Sequence, residues 1–277
     1  MVMLVDILVK FSGRTLPKHP VHLPSTRKGF PKRHHRFEAL FNALNAHSRF
    51  KSAYIWFYNK ENEERRLQKE QRSFDVTLKE LDVVRKAIST MFPDISEPHI
   101  EVNPLRFLIK HQNEVMNIEQ MSDGYKTLLG VVIDLSSRLA IANPHLIDPL
   151  SAEAIVMIDE VDLHLHPSWQ QRVMGDLMNT FKNTQFIVTT HSPYIVESIN
   201  NYLKRKQIEG LPIQDDYIKQ TFMLNANETE AYLMTEQGEM SLMDSELHLF
   251  NDKLLENFNT MNQLYDKMRD IEWVNKS

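Results

Sequence analysis

Ile155-Val156-Met157-Ile158-Asp159-Glu160 is an apolar run that ends on two consecutive carboxylates. A run without polar alternation, here residues 154–158, reads as a strand covered on both faces, the kind that fills a mainly parallel sheet. Such sheets place ligands at the carboxyl ends of their strands. Asp159 and Glu160 stand at that end. Successive side chains alternate across a strand, so one carboxylate can hold Mg²⁺ through its water shell while the next polarises a water for attack on a γ-phosphate. A strand end carrying two solvated acids has the same local pattern, so the flanking sequence has to decide between them.

Downstream, Pro167 opens a helical stretch in which Trp169, Val173, Leu177 and Phe181 fall four apart. A second unalternating run follows, Phe186-Ile187-Val188, and ends in Thr189-Thr190-His191-Ser192-Pro193. This is one strand, helix, strand unit. It can aim His191 at the same edge as Asp159 and Glu160, although a lone histidine after a strand also reads as a loop residue. Upstream, Met121-Ser122-Asp123-Gly124-Tyr125-Lys126 precedes a helical stripe of Leu128, Val131, Val132, Leu135 and Leu139. Ser122 is placed as the N-cap, and Gly124 would let the backbone come close to an anion at the positive helix end. An ordinary capped helix is the alternative.

The rest of the chain is less specific. Pro17, Pro20, Pro24, Gly29 and Pro31 break up the first fifty residues, among which lie Arg27, Lys28, Lys32, Arg33 and Arg36. That basic cluster, with Phe30 and Phe37 to stack on bases, offers a nucleic-acid contact; a solvated Pro-rich loop is the plainer reading. Residues 60–72 are charge-dense, and Leu78, Leu81, Val84, Ile88 and Met91 then mark an amphipathic helix that ends by Pro93. Residues 105–110 and 114–119 flank His111-Gln112-Asn113 as a hairpin, and Glu236-Gln237-Gly238 sits in a second one. A last helix is predicted over residues 245–273, with a stripe from Leu247 to Met268 that suits packing on its own domain or a partner helix. The expected division is an irregular basic segment and helical insertion over 1–97, a core over 98–244, and a C-terminal amphipathic helix over 245–277.

Composition narrows the classes. The 277 residues are 42% hydrophobic, enough for a full core, and the formal charge of −5 argues against a broad nucleic-acid footprint. There is no cysteine, which fits a reducing cytoplasm and excludes disulfides and thiolate chemistry. No apolar run approaches the roughly 20 residues of a membrane span. Asp6 interrupts the opening Met1-Val2-Met3-Leu4-Val5, and no small-residue cleavage site follows, so a signal peptide is not expected. The chain is expected to be cytoplasmic.

Taken together, these motifs make the chain resemble the C-terminal half of an ABC-type ATPase head of the group that includes RecF, Rad50 and SMC proteins. Residues 121–125 resemble the signature loop, Ile155 to Glu160 the Walker B strand, Val161-Asp162-Leu163-His164 the D-loop, and His191 the switch histidine. Within that group the chain looks most like the AAA-domain ATPases of bacterial defence loci, retron-associated or Septu-type, whose Asp-Glu and Thr-Thr-His-Ser-Pro runs recur at residues 158–167 and 189–193. The resemblance implies an α/β fold: a partial ABC-ATPase head with a mainly parallel sheet, a helical insertion and a C-terminal helix. It implies ATP and Mg²⁺ as cofactors, with Ser122, Asp123 and Gly124 at the nucleotide phosphate, Asp159 supporting the metal and Glu160 as general base. Asp162 would lie on a dimer seam, and His191 would donate to the γ-phosphate.

The chain departs from the pattern in one respect. None of its seven glycines sits in Gly-x-x-x-x-Gly-Lys-Ser/Thr, the Walker A loop whose amides wrap phosphates, and Gly13-Arg14-Thr15 lacks the leading glycine and the lysine. A truncated or split gene, a late start, and a degenerate subunit borrowing a P-loop all account for this. The first expectation is an ATP-hydrolysing head that works as a homodimer or with a complementing P-loop chain and controls a nuclease or toxin effector, with nucleic acid as a further partner and no membrane. The second is a non-catalytic scaffold. A Toprim nuclease tail is set aside because Asp215-Asp216 and the short remainder do not supply its acidic constellation. A metal site of His164, His166 and His191 is set aside for want of a fourth ligand.

Overall fold

The structure is a computed structural model and describes residues 50–235, 238–251 and 268. It opens with two helices, α1 (Phe50–Gln71) and α2 (Lys79–Met91). Leu81, Val84, Ile88 and Met91 are all fully buried in α2, as their three- and four-residue spacing requires. A three-stranded antiparallel sheet follows, β1 (Ile95–Val102), β2 (Leu105–His111) and β3 (Glu114–Asn117), in that order. The β2–β3 turn has Gln112 and Asn113 at φ 48° and 70°, with His111 paired to Glu114. Two positive-φ residues in a two-residue loop match the right-handed twist of the flanking strands. β1 was not legible as a strand, and it crosses the 97/98 boundary expected from the sequence.

Buried charges fasten α1 to its neighbours. Glu61 accepts the Ile100 N–H at 2.8 Å while Arg65 donates to the Ile100 carbonyl at 2.9 Å, so two side chains one helical turn apart occupy both backbone groups of one β1 residue. Glu64 accepts the Leu78 N–H at 2.8 Å and a forked pair from Arg85 at 2.9 and 3.2 Å. Glu61 and Glu64 are buried, and buried carboxylates persist only when partnered in this way.

Helix α3 (Asp123–Ala142) packs on both α1 and α2, and its Leu129, Val132 and Ile133 are fully buried there. Next come β4 (Ala154–Ile158), the short helices α4 (Pro167–Gln170) and α5 (Val173–Thr180), and β5 (Thr184–Val188). β4 and β5 pair in parallel register, Ile158 opposite Val188, which is the predicted strand, helix, strand unit. The single helix expected after Pro167 is broken at Gln171-Arg172. Helix α6 (Pro193–Gln207), with Ser192 as its N-cap and Pro193 in its first turn, was missed in the sequence, although a Ser-Pro start is its signal. Helix α7 (Asp216–Gln220) and the hairpin β6 (Tyr232–Thr235) and β7 (Gly238–Ser241) complete the described elements.

Three expectations change. The described strands form three small sheets, of which only the β4–β5 pair is parallel, so the sheet is not mainly parallel. Nor is β4 covered on both faces among the described residues: Ile155 is 47% and Met157 69% exposed, while Val156 and Ile158 on the other face pack against the core. The helix expected from residue 245 does not start there, because Asp244 closes a turn onto the Glu246 and Leu247 amides and Met243 bridges Phe250. Apart from Met268, the stretch after residue 251, the basic cluster at 27–36 and Gly13-Arg14-Thr15 lie outside the described residues. No helix among the described residues is long and apolar enough to cross a membrane.

Candidate functional site

The β4–β5 register leaves Asp159 opposite Thr189 just beyond the strand ends. Pairing continues past the strands, with the Thr189 N–H donating to Ile158 O and the Val161 N–H to Thr189 O, both at 3.0 Å. The Thr189 hydroxyl donates to Asp159 Oδ1 at 2.5 Å and accepts the Glu160 N–H at 2.8 Å. One hydroxyl therefore orients the first carboxylate and fixes the backbone of the second. Glu160 is held at φ 51°, a left-handed conformation that a residue with a Cβ adopts only when its surroundings impose it. Both acids are exposed, as a site for a hydrated ligand requires. Their oxygens are the hard donors that suit Mg²⁺, which keeps several waters and takes one or two carboxylates. Among the described residues no group of three or more His, Asp or Glu converges, so a Mg²⁺ held here would draw its other oxygens from water and nucleotide.

Residues 161–166 form a turn anchored by buried Val161 and Leu165. Asp162 Oδ1 accepts the hydroxyl of Thr190, which is almost wholly buried and in turn accepts the Ser192 N–H at 3.0 Å. The Ser192 hydroxyl donates to Gln170 Oε1 at 2.5 Å, and Gln170 Nε2 returns to the Leu165 and Asp162 carbonyls at 2.9 and 3.4 Å. The circuit is closed. His191 lies inside it in sequence, between Thr190 and Ser192, and is exposed at the same strand edge as Asp159 and Glu160.

Ser122 caps α3 as expected, accepting the Tyr125 N–H at 3.4 Å. Asp123 pairs with Lys126 at 2.8 Å, and the hydrogen bond from that ammonium holds its carboxyl below the usual carboxylate range. Gly124 is buried, and its need for glycine has a cause that was not visible in the sequence. A Cβ there would stand 2.4 Å from the His164 carbonyl oxygen and 3.2 Å from Leu165 Cδ2. The Ser122–Gly124 turn thus rests on the 161–166 turn. Beside this contact is a cavity of about 330 Å³ lined by Tyr54, Glu119, Asp123, Lys126 and His164, among others. Below it Tyr125 meets Trp169 edge-on at 4.6 Å and stacks with Phe92 at 5.6 Å, and Arg172 lies 4.9 Å over the Trp169 ring.

The fold therefore puts Asp159, Glu160 and Asp162 after the end of β4 and His191 after the end of the paired β5, and brings Gly124 against His164. Ser122 and Asp123 bond within their own helix turn. Thr189, Thr190 and Gln170 were not singled out in the sequence. The threonines were marked only as members of the 189–193 run after a strand, with no role of their own, and Gln170 carried no signal beyond lying in the helix expected after Pro167.

A family model described as "AAA domain, putative AbiEii toxin, Type IV TA system" matches residues 16–197. Among curated proteins, "Retron Ec83 probable ATPase" of Escherichia coli is 41% identical over 128 residues, which cover 46% of this chain and 24% of that protein. "Retron Vc95 probable ATPase" of Vibrio cholerae serotype O1 biovar El Tor is 36% identical over 176 residues, 61% of this chain and 33% of that one. "Septu protein PtuA" of Bacillus mycoides (strain KBAB4) is 36% identical over 112 residues, 40% and 15% of the two chains. The chain thus spans only about a quarter to a third of the length of the two retron proteins. Among solved structures, the SMC ATPase of a study of ATP-driven dimerization aligns with TM-score 0.34 at 19% identity, covering 66% of this chain and 89% of that one. The Smc head domain of Pyrococcus yayanosii aligns with TM-score 0.30 at 22% identity, covering 42% and 22%.

Proposed function

Because the chain belongs to the AAA-domain family described as "AAA domain, putative AbiEii toxin, Type IV TA system", we propose that it is the signature-and-Walker-B part of an ATPase head in a defence system of the retron or Septu kind. Its nucleotide site is completed by a P-loop carried on another polypeptide segment. The observation that carries this reading is the edge of the β4–β5 pair, where Thr189 orients Asp159 and pins Glu160 while β4 presents Ile155 and Met157 to solvent. A strand with two large apolar side chains exposed on one face is suited to a further covering layer.

In this reading ATP supplies the phosphoryl group and Mg²⁺ neutralises its charge. Asp159, oriented by Thr189, supports the metal. Glu160, displayed on its left-handed backbone, takes the proton of the attacking water, and His191 directs an N–H toward the charge that develops in the transition state. Ser122 and Gly124 offer the amide end of α3 to a phosphate held mainly by the opposite protomer, and Asp162 faces the seam between protomers. The assembly closes as a dimer on ATP, reopens after hydrolysis, and so controls a nuclease or toxin effector, with nucleic acid as a further partner. The compartment is cytoplasmic.

Calorimetric titration of Mg²⁺-ATP into the chain alone, and into its mixture with a protein bearing the missing P-loop segment, tests this reading. Binding to the mixture only is the expected result. No binding in either case would leave a non-catalytic scaffold.

A further inference from the structure

We infer that Gln170 is a positioning residue, and that the four-residue helix α4 is a crossbar by which the Ser122–Gly124 turn and the loop carrying His191 sense each other's position. The inference rests on the proposed function only in naming those two loops as the ones that face nucleotide.

Two adjacent residues at the C-terminal end of α4 make different contacts. Trp169 meets Tyr125, the residue that follows Gly124, with ring centroids 4.6 Å apart, and Phe92 closes on the same ring at 5.6 Å. Gln170, the next residue, accepts the Ser192 hydroxyl and donates to the Leu165 and Asp162 carbonyls. Thr190 completes the circuit by joining the Asp162 carboxylate to the Ser192 N–H. The loop bearing His191 is therefore clamped on both sides of the histidine, by Thr190 and by Ser192. The turn to which it is clamped is the one whose His164 carbonyl leaves Gly124 no space for a Cβ.

The linkage consists of a closed ring of hydrogen bonds and two direct contacts, without a flexible tether. A hydrogen-bond ring has a further property: once one member is lost the remaining groups no longer hold one another in register, so losses are not additive. Displacement of the His191 loop should reach Tyr125 through residues 169–170 and 164–165 together. The residue pattern has its own logic. Gln at 170 supplies one acceptor and one donor at fixed separation, which neither Met nor Glu reproduces.

Amide hydrogen exchange on the chain without nucleotide tests the inference. In Gln170→Met, exchange should quicken about tenfold or more at Ser192 and Tyr194, and also at Tyr125 and Lys126, while the β2–β3 hairpin amides stay unchanged. Thr190→Val should behave as Gln170→Met does, Thr190→Ser should stay within about twofold of the parent chain, and the Thr190→Val/Gln170→Met double variant should be no faster than either single one. Acceleration confined to Ser192 and Tyr194 would overturn the crossbar, and so would additive effects in the double variant. Should Gln170→Met loosen the hairpin as well, the same comparison is made with Gln170→Glu, which keeps the acceptor for Ser192 and loses only the donor. Since no nucleotide is present, a flat result leaves the ATP reading standing, and a failure to bind ATP leaves this result standing.

Discussion

Gly124 has no room for a methyl group. Its Cβ would overlap the His164 carbonyl oxygen at 2.4 Å, and because that neighbour is backbone, relief requires α3 or the 161–166 turn to move. Gly124→Ala is expected to lower unfolding free energy by about 1–3 kcal/mol, measured by urea denaturation; an unchanged midpoint would mean that the two turns are not in contact. Glu160 has the opposite problem, a Cβ on a backbone at φ 51°. Glu160→Gly should raise stability by about 1 kcal/mol by removing that strain, whereas Glu160→Ala, which keeps a Cβ, should not. A gain only with glycine in paired thermal melts is the expected signature, since the residue would be retained for its carboxylate at a cost in stability. The sequence made the carboxylates legible because two acids after an apolar run need no partner to be noticed. Thr189 and Gln170 were opaque, since their roles depend on contacts 30 and 22 residues away in the chain.

At the scale of elements, helix α1 is held by charges rather than by an apolar stripe alone. Glu64→Ala would leave the Leu78 N–H without its acceptor and the half-buried Arg85 guanidinium with Asp82 alone, at 3.5 Å, and should cost about 2–3 kcal/mol. The neighbouring Glu63→Ala leaves the buried Lys60 ammonium with Glu80 at 3.7 Å and should cost clearly less than Glu64→Ala. Equal effects in chemical denaturation would contradict the clamp. Helix α6 is pinned by Tyr202, whose hydroxyl donates to the Gln171 carbonyl at the break between α4 and α5. Burial, chiefly, pushes its phenol up to about 12. An unfolded tyrosine ionises near pH ~10, so the folded chain holds this proton more tightly and loses stability as pH rises through the interval between the two values. Tyr202→Phe should flatten that alkaline loss in melts taken between pH 9 and about 12; an identical slope would show that Tyr202 does not couple to folding. Elements with a strong period, such as α2, α3 and the β4–α4/α5–β5 unit, could be read from spacing alone. β1 could not, because Glu97, Pro98 and Glu101 interrupt its alternation, whereas α6 was overlooked although Ile195, Val196, Ile199, Tyr202 and Leu203 fall at helical spacing after its Ser-Pro start.

For the molecule as a whole, the parallel pair β4–β5 runs into the acids on one strand and the histidine on the other, and the described residues leave Ile155 and Met157 of β4 exposed. The sequence suggested a strand covered on both faces, since an apolar run records which residues are fit for burial and not what polypeptide does the burying. The most direct test is ATP turnover by the chain mixed with a protein supplying the P-loop segment, compared with the same mixture containing Glu160→Gln. The account predicts hydrolysis by the first and, for the second, retained ATP binding with turnover reduced by about 10²-fold or more. Undiminished turnover with Glu160→Gln, or ATP bound and hydrolysed by neither mixture, would contradict it.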